Sequence, residues 1–488
     1  RLRSGIDAAL ICSLMSRFFT LTTFAFVLVL GQAVEVERPN FVIIMCDNLG
    51  YGDIGPFGSK LHRTPNLDRM TQEGMRLTSC YSASGVCTPS RAALMTGCYP
   101  RRVGLGWTVA DGSVLRPVSQ IGLHPDEITL AEVLKMEGYA TVCIGKWHLG
   151  DQPVFLPTRQ GFDSFLGLPY SDDMTRAIGR RIGERLRGNR WPLLPLLQDE
   201  QVIEAPADRN TLTQRETAAA VKFIAANKAN PFFLYLPHNM PGSSRAPFAS
   251  EAFRGRSKNG TWGDAVEELD WAAGEIFEAL KKCGVDRRTI VIWTSDNGAP
   301  RRDPPQGSNG ALGGWGYTTA EGGMRVPAIV RWPGVVPPGN TSDELCSLMD
   351  LLPTLAKFAG AKLPSDRKLD GKDIAPLLLA KTGAATPHEA FYFYAHGELQ
   401  AVRSGDWKLF FTRSKQAPKG EPAALYNLAS DIGETTNVLD EHPGVVKRLA
   451  KLAEGMRSDL GDDLTGARGS GTREPGFVKD AKPLTRRK

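Results

Sequence analysis

Residues 41–53 read Phe41-Val-Ile-Ile-Met-Cys46 followed by Asp47-Asn-Leu-Gly-Tyr-Gly-Asp53. An unbroken apolar run of strand length, with no polar alternation, describes a strand buried on both faces, and the polar, glycine-bearing segment after it marks its end. Two later runs have the same form. Ala140-Thr-Val-Cys-Ile-Gly145 ends at Lys146-Trp147-His148, and Thr289-Ile-Val-Ile-Trp-Thr294 ends at Ser295-Asp296-Asn297. Between them lie another apolar strand (231–236, PFFLYL) and amphipathic segments. Helices are expected over about 64–74, from an Asp126 cap to Gly138, and from Asp264 to Lys282. Strands alternating with helices make an α/β domain, and in open α/β sheets ligands bind beyond the carboxyl ends of the strands. The clusters Asp47-Asn48, Lys146-Trp147-His148 and Asp296-Asn297 are therefore expected to share one site.

Two Asp-Asn pairs supply only oxygen donors. Hard oxygen ligands with two carboxylates suit Ca²⁺, or Mg²⁺, better than Zn²⁺. One such pair alone reads as a turn; two at two strand ends point to a metal.

From about residue 370 the texture changes to short aromatic runs separated by Gly, Asp and Asn, which suggests a smaller domain with an antiparallel sheet, closed by a helix at about 443–457. Residues 461–488 have few large apolar side chains and no period, so a flexible tail is expected there. At the other end, residues 15–33 carry a basic start, the apolar core FFTLTTFAFVLVLG and a small-x-small site at Gly31-Gln32-Ala33, the pattern of a secretory signal beginning at Met15. Residues 1–14 then read as upstream read-through, and the mature chain as secreted or periplasmic after cleavage near Ala33. The uninterrupted apolar run is shorter than a membrane span needs, so no stable membrane association is expected. The expected organisation is thus 1–33 read-through plus signal, 34–370 catalytic domain, 371–460 small domain and 461–488 tail.

Composition bounds this reading. The chain has 488 residues, 42% apolar and 23% charged, which excludes pervasive disorder and a collagen-like repeat. A net charge of +6 over so large a surface supports no nucleic-acid partner but leaves a polyanionic substrate open. The eight cysteines, at 12, 46, 80, 87, 98, 143, 283 and 346, form no CxxC pair and no dense disulfide framework.

One cysteine stands apart. Cys87 precedes Thr88-Pro89-Ser90-Arg91, where proline favours a first helical turn and Gly97 a stop, so it sits at or just before a helix N-terminus, a place that suits an oxyanion. CTPSR resembles the C-x-P-S-R signature of the formylglycine-dependent sulfatase family. PNFVIIMCDNLGYGDIG, TPNLDRM, SGVCTPSRAALMTG, GKWHLG, TSDNGA and TTAEGGMRVPAIVRWPG resemble that family's blocks, in its order, across residues 39–455. The likeness is to bacterial secreted arylsulfatases and N-acetylgalactosamine-6-sulfatases.

The resemblance implies an alkaline-phosphatase-like fold, with a central mostly parallel or mixed sheet flanked by helices, and hydrolysis of a sulfate ester. Cys87 would be oxidised to formylglycine by a maturation enzyme. Its hydrate, activated at a metal held by Asp47, Asn48, Asp296, Asn297 and residue 87 itself, would attack sulfur and displace the alcohol. The geminal hydroxyl then expels sulfate. Arg91 would hold the aldehyde, Lys146 would neutralise sulfate oxygens, and His148 would deprotonate or orient the diol. Ser171, in LPYSDDM, matches a sulfate-binding position or serves as a turn cap. The expected substrate is a sulfated small molecule or a sulfated glycan.

The pattern also departs from the family. Many members carry Asp-Asp where this chain has Asp47-Asn48, which keeps a carbonyl ligand and removes a charge. The histidine that protonates the leaving alcohol falls at Pro241 or Gly242, and His238 is the nearest substitute. The second sulfate-binding lysine falls at Gly316, with Trp315 or Arg245 as conceivable replacements, while His396 reads first as an ordinary surface histidine and second as a residue that could approach the pocket rim. Two alternatives remain open: a phosphonate or phosphodiester hydrolase of the same superfamily, and a non-catalytic binder of anionic polysaccharide.

Overall fold

The computed structural model describes residues 38–176, 191–412 and 417–485; the expected signal segment lies outside the described residues. The strand Asn40–Asp47 is the centre of the molecule, buried at every position. Its side chains alternate between two cores. Phe41, Ile43 and Met45 face one layer with Leu94, Leu130, Leu134 and Leu352, whereas Val42, Ile44 and Cys46 face the other with Ile224, Leu269 and Ile276. Period-two alternation with apolar residues on both faces is what a strand sandwiched between helix layers requires.

Five parallel strands form the middle of a ten-stranded mixed sheet, in the spatial order Thr289–Ser295, Asn40–Asp47, Phe232–Pro241, Ala140–Lys146 and Ser164–Leu168. Antiparallel pairings extend it on both sides, through Ala328–Arg331 and Leu196–Gln198. Parallel register brings the strand ends level: Cys46 pairs with Ser295 and Asp47 with Pro241. The clusters after those strands consequently open on one edge of the sheet.

Helices differ from expectation mainly at their starts. The helix expected from Asp126 begins instead at Leu130, because Thr129 and Glu132 form a reciprocal capping box. The long helix runs Gly260–Lys282, four residues earlier than expected, and the last is Pro443–Leu460. The smaller sheet is antiparallel, Phe391–Ala395, Glu398–Ser404, Trp407–Phe410 and Ala424–Asn427, and it packs with the Pro443–Leu460 helix around a core of its own.

The extension after Gly461 corrects the expectation of a flexible tail. Gly476–Phe477 pairs with Ile121–Gly122, Arg473 makes two hydrogen bonds to Glu127 (2.6 and 2.9 Å), and Lys482 exchanges two with Gln152 (2.9 and 3.1 Å). This segment docks through main-chain and ionic contacts instead of an apolar period, so its composition carried no sign of order. Among the described residues, no helix is long and apolar enough to cross a membrane. The seven described cysteines are all free thiols.

Candidate active site

The helix Cys87–Thr96 is buried at every residue and ends on Gly97 in the left-handed region (φ 64°). Its first turn explains the CTPSR stretch position by position. Thr88 Oγ1 donates to His148 O (3.0 Å) and accepts from Leu115 N (3.1 Å), and Ser90 Oγ donates to Ser84 O (2.9 Å), fixing the approach turn. Cys87 and Arg91 stand one turn apart and so share a face.

Arg91 ties the strand ends together. It gives Asp296 Oδ2 bonds from Nε (3.1 Å) and Nη2 (2.7 Å), reaches Asp47 Oδ1 at 3.2 Å, and caps Lys146 O at 2.7 Å. Lys146 Nζ donates to the same Asp47 oxygen at 2.7 Å, and Cys87 Sγ lies 3.3 Å from it. Asn48, at φ 60°, accepts from Asn297 Nδ2 (2.6 Å) and gives its backbone N–H to Asp296 Oδ1 (2.9 Å). Asp47, Asn48, Cys87, Arg91, Lys146, His148, Asp296 and Asn297 are thereby brought together and buried.

Two lysine and arginine cations against two carboxylates balance in number but not in local field. Burial pushes the Asp47 carboxyl up, yet the Lys146 and Arg91 charges outweigh it and hold it well below the usual range. Burial and the Asp47 charge push Asp296 up to about 6. Burial, reinforced by Asp47, raises the Cys87 thiol well above its ordinary value. An unmodified Cys87 is a protonated thiol here, a poor nucleophile.

Several buried polar atoms in this cluster have no hydrogen-bond partner: Asp47 Oδ2, Asn297 Oδ1, His148 Nδ1 and Ser171 Oγ. Such groups occur elsewhere in the chain too, but here four of them converge around residue 87. The ligand atoms of Asp47, Cys87 and Asp296 lie within 4.8 Å of one another. With the orphaned oxygens of Asp47 and Asn297 beside them, this donor set fits a hard divalent cation. His148 (φ 63°) donates through Nε2 to Leu115 O at 3.0 Å, which leaves Nδ1 as the lone-pair nitrogen, and burial with the Lys146 charge depresses its basicity further.

Above Cys87 opens a cavity of about 300 Å³, lined by His148, Ser171, Ser113, Arg116, Asp173, Ser243 and Tyr317 among others. Ser171 is therefore at the cavity. His396 reaches its rim, with Nδ1 3.3 Å from Ser113 Oγ and its ring against Trp107.

Three substitutes expected from the sequence are not brought there. His238 is fully buried, does not line the cavity, and sits with Nδ1 2.9 Å from Glu216 in the Leu212–Asn227 helix. Strand alternation turns it towards the helix layer. Trp315 lines a separate hollow with Asn259 and Gln306, and Arg245 is exposed. The room beside Gly242 is taken by carboxylates instead. A Cβ on Gly242 would lie 3.1 Å from Asp172 Oδ1 and 3.6 Å from Asp47 Oδ2. Asp172 is pushed up to about 8 by burial and by the Asp173 charge. Asp172, Arg116, Ser113, Ser243 and Tyr317 were not foreseen, since they come from loops without periodic pattern; Asp172, inside LPYSDDM, and Tyr317, next to TTAEGG, had a motif beside them.

A sulfatase family model matches residues 39–361, and a second, for the N-sulphoglucosamine sulphohydrolase C-terminal region, matches 317–459. The chain belongs to the sulfatase family. It is 38% identical to mouse (Mus musculus) steryl-sulfatase, over 86% of this chain and 82% of that protein. It is 39% identical to pig (Sus scrofa) N-acetylgalactosamine-6-sulfatase, over 78% and 73%. Among solved structures it resembles the PsFucS1 sulfatase from Pseudoalteromonas sp., with TM-score 0.74, 28% identity and coverage of 86% and 90%. The two-part architecture, with a large mixed sheet and a small antiparallel one, is that of the sulfatases, and the chain is a sulfuric ester hydrolase.

Proposed function

We propose that this sulfatase cleaves a sulfated carbohydrate with Cys87 converted to formylglycine, and that Asp47, Asn48, Asp296, Asn297 and residue 87 hold Ca²⁺. The observation that carries the reading is the convergence of orphaned buried polar atoms around residue 87, at the start of a helix no part of which is exposed. The placement of residue 87 in the first turn of that helix, 3.3 Å from Asp47 Oδ1, supports the conversion. An aldehyde hydrate supplies a hydroxyl for attack on sulfur, and a bound divalent cation supplies charge compensation that makes this hydroxyl easier to deprotonate.

The chain's own groups do the rest. His148 Nδ1, its tautomer fixed by Leu115, accepts the hydroxyl proton, and depressed basicity lets it give that proton up again. Lys146 and Ser171 hold sulfate oxygens, while Arg91 bridges Asp47 and Asp296 and compensates their charge. The hydroxyls of Ser113, Ser243 and Tyr317 give the cavity mouth the hydrogen-bonding character that a sugar matches and a sterol does not. A secretory signal at 15–33 would carry the enzyme to where sulfated polysaccharides occur, and a maturation enzyme would convert Cys87.

The test is a set of side-by-side rates on sulfated oligosaccharides of defined linkage, an aryl sulfate, a steryl sulfate, and the matching phosphate and phosphonate esters. The reading expects sulfate release to dominate and a sulfated sugar to have the highest kcat/KM. A preference for steryl sulfate overturns the carbohydrate assignment.

A further inference from the structure

Where the sulfatase family carries its second sulfate-binding lysine, this chain has Gly316, and no side chain fits there: a Cβ on Gly316 would lie 2.2 Å from Gly298 O. Lys146 shares its charge with Asp47 Oδ1 at 2.7 Å. A sulfate ester entering the cavity would meet the hydroxyls of Ser113, Ser171, Ser243 and Tyr317, and one cationic side chain, Arg116.

Arg116 is built into the site through its neighbour. Leu115 is pinned on both sides of its peptide, its N–H to Thr88 Oγ1 (3.1 Å) and its carbonyl to His148 Nε2 (3.0 Å). Thr88 and His148 are themselves the residues that flank the nucleophile and the diol, so the backbone delivering Arg116 moves only with the catalytic cluster. Pro117 follows and restricts the chain further. Yet the guanidinium is little used by the protein. Among the described residues its one hydrogen bond runs from Nε to Asp111 O at 3.4 Å, and no carboxylate lies within ion-pair distance of it. Guanidinium groups half-buried in a cavity with their paired terminal N–H donors unspent are suited to oxyanions, which they grip in bidentate fashion.

We propose that Arg116 is the second sulfate-binding cation of this enzyme, holding the ester's sulfate from the cavity wall. The assignment rests on the sulfatase reading above. Burial lowers the basicity of Arg116, while the charges of Asp173 and Asp111 act in the other direction; Arg116 and residue 87 line the same cavity. Asp173, also on the cavity wall, then sets a limit: it repels anions that do not engage Arg116 directly.

Arg116→Ala and Arg116→Lys in the matured full-length enzyme, compared for kcat, KM and competitive inhibition by inorganic sulfate, test the proposal. Loss of a charge-assisted contact is expected to raise both KM and the sulfate inhibition constant of Arg116→Ala by roughly tenfold to a hundredfold, with kcat falling less. Arg116→Lys is expected to lie between, and added guanidinium ion to restore part of the Ala variant's affinity. A purely structural role would move none of these except through unfolding, which a thermal melt reads separately. Sulfate inhibition constants within twofold of the wild type in both variants overturn the proposal. A wild type that releases phosphate instead of sulfate overturns the sulfatase reading and leaves Arg116 to be judged by phosphate inhibition.

Discussion

Two buried charge clusters among the described residues are built to different ends. Beneath the small sheet, Glu321 accepts from Lys408 Nζ at 2.8 Å and from the Tyr81 hydroxyl, with Arg325 at 3.4 Å, while Lys408 also meets Glu434 at 2.9 Å and stands 3.8 Å over the Phe393 ring. Both Glu321 oxygens are engaged. Around residue 87, by contrast, Asp47 Oδ2, Asn297 Oδ1, His148 Nδ1 and Ser171 Oγ are left over. A buried ion pair is weak evidence of purpose by itself, since its desolvation can cancel its attraction. What distinguishes the catalytic cluster is that several unpartnered groups converge beside one cavity, where a bound ion or substrate can satisfy them.

The sharpest way to break this comparison is to remove one member of each cluster. Cys87→Ala is expected to abolish turnover while the circular dichroism spectrum and melting temperature stay near the wild type; residual turnover near wild type rejects the nucleophile. Lys408→Met removes the cation that Glu321 and Glu434 share, and is expected to cost about 3–5 kcal/mol of stability in denaturant titration with kcat per folded molecule unchanged.

Acid separates the clusters next. In the small-domain cluster, burial raises the Glu321 carboxyl, but Lys408, Arg325 and Arg403 outweigh it and bring it down to about 2. A folded value about two units below the ordinary glutamate value of about 4.3 is worth on the order of 3 kcal/mol. That stabilisation is complete above about pH 5 and is lost as pH falls through about 4 towards 2. Asp296 has the opposite sign: raised to about 6, it penalises the metal-free fold increasingly as pH rises from about 4 to 6. Stability against pH for Glu321→Gln and Asp296→Asn is therefore expected to deviate from wild type in opposite directions, and parallel curves would erase the distinction.

The smallest effect comes from the cation. Ca²⁺ at a hundredfold excess over its dissociation constant is expected to add about 2.7 kcal/mol to the wild type. Asp296→Ala is expected to lose most of that gain and Lys408→Met to keep it, as read by melting temperature with and without chelator.

Much of this was legible in the sequence where periodicity or strand ends carried it. Phe41–Asp47 reads as a two-face strand because its composition is apolar throughout, and parallel register then forces Asp47, Lys146 and Asp296 to one edge. Three things were not legible. His238 faces away from the cavity because side chains alternate along its strand, and the sequence does not say which face is the site. Asp172 stands beside Gly242 only through tertiary packing between segments far apart in the chain. The 461–485 extension is ordered by Glu127, Gln152 and the Ile121–Gly122 edge, none of which its own composition reveals.

The central claim is that the unsatisfied cluster exists to serve a modified residue 87. Mass spectrometry of the Cys87 peptide, taken from enzyme whose rate of sulfate release has been measured in the same preparation, tests it most directly. The account predicts formylglycine at position 87 in proportion to the rate; full turnover with position 87 still a thiol would contradict it.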